Sequence, residues 1–457
     1  MREIYKSDSA SLPSQSAVFP DIMKLALPAA FESLFLGLVD LADTKMVSDL
    51  GITAVAAVGL TSQPKRILLM AILAINVAAT TVISQCMGSG DLAAANRSMR
   101  KFLLLTLGAS TLIYVPGFLF ARPILWFCGA RSDTIELALT YFRILVVGQF
   151  VQALSLTINA CQRGSGNTKI AMVTSIAANL INIAGNYLFI YGHLGAPRLG
   201  VAGAALAASI GSFVAFGISM YTVVLKKGRI LNLCVPSACH GDIPWGTVRP
   251  MIFSAFGEQL FQRIGMVLYV QIAANLGTAA FGTYQICMEI ANFEGYTFDG
   301  FSVAATALVG QSLGGGKPDM ASSYAKSAVK LAYGCGLLIG LPTVLFRRQI
   351  MELFDQDPQI VQMGANALFI VGISALVSAG AGTYAGALRG AGDTKTVAVW
   401  TLWSTLVFRP AAAWVLCNHL HLGLTGVWLA FLMAYTIRCA ALGYHVSKGA
   451  WKEHRKL

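Results

Sequence analysis

The feature that most constrains this chain is its succession of twelve long apolar runs, separated by short charged or Gly/Pro-rich stretches. They lie near 21–47, 53–85, 98–120, 134–160, 169–190, 200–225, 248–274, 279–311, 324–345, 359–387, 396–417 and 424–446. A bilayer core takes roughly 20 helical residues to cross. Inside it every backbone N–H and C=O must be satisfied by the protein itself, which leaves helices and closed barrels. Barrel strands would be about ten residues long and would alternate apolar with polar; these runs are longer and do not alternate. The 457 residues are 56% hydrophobic and 12% charged, where a soluble domain carries about 25% charged residues. That balance excludes an ordinary cytosolic enzyme, a disordered chain and a fibre. The polar opening stretch, MREIYKSDSASLPSQSAVFPD, has no apolar centre and does not read as a cleavable signal peptide.

An even number of runs puts both termini on one side. Loop Lys and Arg divide twenty to five. The terminal side holds Arg97, Arg100, Lys101, Lys226, Lys227 and Arg229 among others, and the far side Arg122, Arg131, Arg198, Arg347 and Arg348. Cationic loops stay in the cytoplasm. Both termini are therefore expected there, in a multi-pass plasma-membrane protein of the bacterial inner-membrane kind. The net charge of +12 reflects this topology, and no basic cluster with interleaved aromatics points to nucleic acid. Most of the nine cysteines fall in apolar runs, and Cys234 and Cys239 lack a second pair to complete a zinc site, so free thiols are expected.

The chain repeats itself. NVAATTVISQCMGSGD (76–91) aligns with SVAATALVGQSLGGGK (302–317) at a shift of 226. The same shift carries TINACQRGSGNTK (157–169) onto TYAGALRGAGDTK (383–395), and pairs Glu32 with Glu258, Gln85 with Gln311 and Arg163 with Arg389. Farther on, 199–207 matches 422–430 at a shift of 223. Each half holds six helices, so both start on the same side and the repeat is parallel. The expected fold is an all-α polytopic membrane protein: twelve transmembrane helices in two six-helix bundles, related by a pseudo-two-fold axis along the membrane normal. Its parts are a cytoplasmic tail (1–20), an N-lobe (21–225), a cytoplasmic linker (226–247), a C-lobe (248–446) and a second tail (447–457). Two such bundles enclose a cleft that rocking can open to either side.

Seven of the 21 carboxylates lie inside apolar runs, beyond the first turn: Glu32, Asp40, Asp43, Glu258, Glu289, Glu294 and Asp299. A charge at mid-bilayer costs roughly 3 kcal/mol on insertion scales and marks a cavity or an internal partner. Glu32 and Asp43 fall within about 20° of one helix face, and Asp40 lies one turn from Asp43. Two close carboxylates in dry surroundings either keep a proton between them or share a hard cation through their oxygens. The local alternative is Lys45, which could pair with Asp43 or Asp49. Asn179, Asn182 and Asn186 form one stripe, whose amide oxygens could complete a cation site or bond across helices. In the second half, Tyr284, Glu289, Phe293, Glu294, Tyr296 and Asp299 combine acid with aromatic, which suits a lipophilic cation. With Glu32 they are the expected cavity residues. The three acids step by five residues, so they cannot all face one way. Since the ionisable groups of the spans read as mainly acidic, cationic cargo is expected.

DTKMVSDLG (43–51), the two VAAT segments with their Gly-rich turns, LRGAGDTK (388–395) and NYLFIYGHLGAPRLGVAGAALA (186–207) together resemble the multidrug and toxic compound extrusion (MATE) transporters, over roughly residues 20–447. The resemblance implies a secondary active antiporter that exports organic cations or amphipathic drugs in exchange for Na⁺ or H⁺. It implies no cofactor beyond that coupling ion, small-molecule cargo, membrane lipid as surroundings and a monomer. Family members place a cation-binding network at positions matching Asp43, Asn182 and Asn186, a possible Na⁺ site. Many relatives have an acid where this chain has Asn186, with Asp40 as the candidate substitute. Glu258 resembles the seventh-helix Glu of the family's bacterial multidrug branch and of eukaryotic relatives, implicated there in ion coupling, and Ser378 stands where that bacterial branch has a tenth-helix Asp. The alternative within transport is a flippase for lipid-linked precursors, whose cavity should be basic. SLGGGKPD lacks the spacing of a phosphate loop, and five of six His lie in loops or tails, so neither an ATPase nor an intramembrane enzyme is expected.

Overall fold

The structure, a computed structural model, describes residues 15–131, 134–226, 230–234 and 245–453. The outer parts of both expected tails and the linker residues Lys227, Arg229 and Cys239 lie outside them. Six helices precede the linker: α1 (Gln15–Ser48), α2 (Ile52–Gly88), α3 (Leu92–Leu119), α4 (Ile135–Gly164), α5 (Thr168–Tyr191) and α6 (Val201–Val224). Six follow: α7 (Trp245–Ala274), α8 (Thr278–Gly314), α9 (Pro318–Leu345), α10 (Pro358–Gly390), α11, and α12 (Gly423–Lys448). Helix α11 runs from Thr394–Thr401 through a π-helical segment, Leu402–Phe408, into Arg409–Asn418. These twelve make two six-helix lobes. Among the described residues nine helices are long and apolar enough to cross a membrane by composition alone. The other three are α7 and α8, which carry the acids named above, and the divided α11.

The shift of 226 is visible in the backbone. Gly51 and Gly277 link the first two helices of each lobe at φ 98° and 101°, a conformation that side chains other than glycine's rarely adopt. Two short helices that the apolar pattern does not show, Ala121–Phe127 and Arg347–Glu352, occupy the same place in the two lobes. Each comes after a proline: Phe120 N–H donates to Pro116 O at 2.8 Å, and Phe346 N–H to Pro342 O at 2.9 Å.

The lobes join at the face that carries the chain ends, called here the terminal face. Helices α2 and α8 cross there without room for a side chain. A Cβ at Gly88 would fall on the backbone of Gln311, and one at Gly314 on that of Gln85. Gln85 Nε2 donates to Gly390 O at 3.1 Å, and Gln311 Nε2 to Gly164 O at 3.0 Å. These are one contact made twice, once from each lobe. Thr81 Oγ1 adds a bond to Arg389 O at 2.7 Å, and the Tyr324 hydroxyl one to Asp21 at 2.9 Å. Small residues let the helices close: Gly300 of α8 sits on Ala26 and Ala30 of α1. Toward the opposite face Asp40, Thr44 and Glu289 are exposed. The lobes thus close on each other at the terminal face.

Candidate functional site

Helices α1 and α5 pack side by side in the first lobe, and their polar residues meet. Asn182 and Asn186 stand one turn apart on α5. Asn186 Nδ2 donates to Asp43 Oδ1 at 2.6 Å and to Asn182 Oδ1 at 2.8 Å. Asn186 is 2% exposed, and its Oδ1 has no hydrogen-bond partner among the described residues. A buried, unsatisfied amide oxygen beside a carboxylate is an incomplete oxygen cage, of the kind a hard cation completes. Asp40 lies exposed one turn away, within electrostatic range of Asp43. Asn179 is not part of the group: its Nδ2 donates to Ser175 O on its own helix at 2.7 Å. Lys45 turns the other way and pairs with Asp49 at 2.8 Å. Hydrogen bonds from Lys45 first, then from Tyr191, hold the Asp49 carboxyl below the usual carboxylate range.

The two glutamates related by the repeat are both in ion pairs. Glu32 accepts from Arg163 Nη2 at 2.5 Å and from Ser175 Oγ at 2.6 Å. Glu258 accepts from Arg389 Nη2 at 2.5 Å and from Arg438 Nη2 at 3.1 Å. They are 3% and 1% exposed. This corrects the expected place of Glu32, which lies inside the first lobe and not on the cavity wall. It also bears on Glu258, expected among the coupling residues. A carboxylate that already holds two guanidinium groups has no charge left for a cation. Arg163 and Arg389, in the last turns of α4 and α10, reach back along the lobe to make these pairs.

Helix α8 presents two faces. Glu289, Phe293, Tyr296 and Asp299 share roughly a third of its circumference, at about 100° per residue. The Tyr296 ring lies against Gly37 of α1, where a Cβ would stand 2.7 Å from it. Tyr296 is within electrostatic range of Asp40, Glu289, Arg66 and Asp299, and Asp299 is in range of Arg389 and Arg163, one from each lobe. This face therefore turns toward α1 and the boundary between the lobes. Glu294 and Tyr284 do not, contrary to expectation. Glu294 points into the second lobe and accepts from Thr343 Oγ1 at 3.1 Å. Tyr284 is fully buried among Tyr269, Phe281 and Trp428.

The expectation of mainly acidic spans is corrected as well. Lys65, Arg66, Arg143, Arg263, Arg409 and Arg438 stand within the apolar runs beside the seven acids. Lys65 of α2 is within range of Asp40 and Asp43. Arg66 and Arg263, on α2 and α7 of opposite lobes, lie within range of each other. Neither makes an ion pair among the described residues. The signal was legible: Pro64–Lys65–Arg66 interrupts an otherwise apolar run.

The MatE family model matches residues 28–188 and 250–415, a segment in each lobe. The chain is 25% identical over 442 residues to a probable multidrug resistance protein NorM of Thermotoga maritima, covering 96% of this chain and 94% of that one. It is 24% identical over 342 residues to an FAD transporter of Shewanella oneidensis, covering 75% of each. A crystal structure of MATE in the bent conformation shares the fold at a TM-score of 0.86 and 21% identity, over 96% of this chain and 99% of that one. With both halves matched by one family and the fold shared almost end to end, the chain belongs to the MatE family, the multidrug and toxic compound extrusion transporters, and is not an enzyme.

Proposed function

We propose that the protein exports small amphipathic organic molecules in exchange for Na⁺ or H⁺, with the terminal face cytoplasmic and the lobes rocking about their seam. The observation that carries this reading is the buried Asn186 oxygen without a partner beside Asp43. Na⁺ would take oxygens from Asp43, Asn182 and Asn186; a proton would sit on Asp43 itself. Lys65 supplies positive charge to the Asp40 and Asp43 pair while the ion is absent. Coupling then belongs to the first lobe, since Glu258 is already neutralised by two arginines.

Cargo is assigned to the cleft wall formed by Glu289, Tyr296 and Asp299, where carboxylates and a ring face suit a cationic, lipophilic group. Arg66 and Arg263 favour a second reading, in which the cargo also carries a carboxylate or phosphate. The relative named as an FAD transporter fits that reading.

The test uses purified protein in liposomes with an imposed Na⁺ or H⁺ gradient. One of the two ions should drive movement of a fluorescent organic cation, and Asp43→Asn should abolish it. Full gradient-driven uptake in that variant refutes the site assignment, and swapping the ion identifies the coupling.

A further inference from the structure

In the second lobe Arg409 of α11 is only 5% exposed and lies inside a set of aromatic rings. Its guanidinium carbon is 3.8 Å from the centroid of Tyr269 and 4.5 Å from that of Phe431. Tyr284 adjoins Tyr269 at 5.9 Å between ring centroids. Trp428 adjoins Tyr284 at 5.7 Å and Phe431 at 5.3 Å. Arg409 has no ion pair among the described residues. Its Nε and Nη2, Trp428 Nε1 and Tyr284 Oη are all buried without a hydrogen-bond partner. The Tyr269 hydroxyl, by contrast, donates to Val427 O at 2.7 Å. Arginine and tryptophan can only donate. What the cluster lacks, beyond its tyrosine oxygens, is an acceptor that carries negative charge, because ring faces offset only part of the cost of burying a guanidinium.

The repeat supplies an independent observation. At a shift of 226 the counterpart of Asp43 is Tyr269, and α11 is the counterpart of α5, which carries Asn182 and Asn186. The helix pair that gathers oxygens in the first lobe holds a guanidinium against a tyrosine ring in the second, with Trp428 of α12 and Tyr284 of α8 in the same cluster. The π-helical segment Leu402–Phe408 ends immediately before Arg409. Pro410, just beyond, cannot donate to Leu406 O. A π-turn adds a residue to the helix and rotates the turns beyond it by about 100°, which re-aims Arg409. Gly265 of α7 admits the backbone of Thr405 in that turn at close range.

We propose that the second lobe binds a small monovalent inorganic anion, with chloride as the cellular ligand, between Arg409, Trp428 Nε1 and Tyr284 Oη. The three residues are 5% exposed or less, so the ligand is enclosed and small. Polarity is thus inverted between the lobes, with a cation cage in one and an anion cage at its counterpart.

The test uses the purified full-length protein in lipid nanodiscs. Chloride is titrated against gluconate at constant Na⁺ and ionic strength, and thermal unfolding is followed. Crystals soaked in bromide supply the anomalous signal. The expected result is a saturable rise in Tm with chloride and a bromide peak at Arg409. Trp428→Phe should raise the half-saturating chloride about tenfold, as loss of one hydrogen bond to a charged acceptor does. Arg409→Gln should abolish the dependence; if it does not fold, Trp428→Phe decides. The proposal is overturned by a Tm that does not saturate with chloride, by the same titration in Trp428→Phe, or by bromide found only at the protein surface. The readout is binding, so a failed transport assay leaves the result standing.

Discussion

Removing the paired seam contacts should release the terminal face in a measurable amount. Gln85 and Gln311 are 8% and 6% exposed, and each donates across the lobe boundary to the last backbone carbonyl of a helix in the other lobe. Interhelical hydrogen bonds in membranes contribute about 0.6–2 kcal/mol each. Taking about 1 kcal/mol for each, Gln85→Ala with Gln311→Ala weakens the sealed state by about 2 kcal/mol, or roughly thirtyfold in its population ratio. The close crossing at Gly88 and Gly314 is untouched, so the sealed geometry stays accessible and only its weight falls. Cys86, next to Gln85 and partly buried, reports on the seam. With the other eight cysteines replaced by serine, its labelling by a membrane-impermeant maleimide from the terminal face should accelerate by at least an order of magnitude. Because the two contacts are related by the repeat, each single variant should give about half of the free-energy effect. A double variant that folds normally and labels at the parental rate refutes the idea that these bonds hold the seam.

Two more outcomes are expected of the charged residues. Glu258→Gln strands Arg389 and Arg438 and should lower stability by about 3–5 kcal/mol, as breaking a buried pair does. Glu32→Gln frees only Arg163, which is 26% exposed in its side chain, and should lower Tm by clearly less in the same melt; equal losses would show that Arg438 adds nothing. For cargo, rhodamine B and its ethyl ester differ only by a free carboxylate. Arg66→Gln with Arg263→Gln should weaken binding of the zwitterion about tenfold and leave the ester unchanged, as read by fluorescence anisotropy; a parallel loss for both dyes removes the arginines from cargo recognition.

Helix number and the two-lobe plan were legible because the bilayer imposes them: backbone groups cannot be left open in lipid, so span-length apolar runs have one outcome. The internal shift of 226 then related the halves without any structure. Side-chain destinations were legible only in part. Arg163 and Arg389 look like helix ends, yet each stands 131 residues after its glutamate, and that equal spacing in both halves was the available sign of a shared pair. Tyr284 was misplaced because an aromatic next to acids on α8 looks the same facing a cleft or facing Trp428; only tertiary packing separates them. The π-helical turn of α11 left a trace in Pro410 within an apolar run, but a proline there is equally compatible with a plain kink.

The duplicated frame makes departures from symmetry informative about how coupling can work. The Gln85 and Gln311 contacts are symmetric, each meeting a helix end of the other lobe, so they set no preference for which lobe responds to an ion. The preference must come from residues that differ. At a shift of 223 Arg438 falls on Ala215, so Glu258 meets a second guanidinium and Glu32 does not. At a shift of 226 Asp43 falls on Tyr269, so the carboxylate beside the unsatisfied amide exists in one lobe only. Both changes shift the second lobe toward positive charge, in keeping with the proposal that the cation is attracted to the first. On the exchange proposed above, Asp299, on the second lobe but within range of Arg163 of the first and Arg389 of its own, is the carboxylate that would relay a charge change on either side of the seam to the cargo.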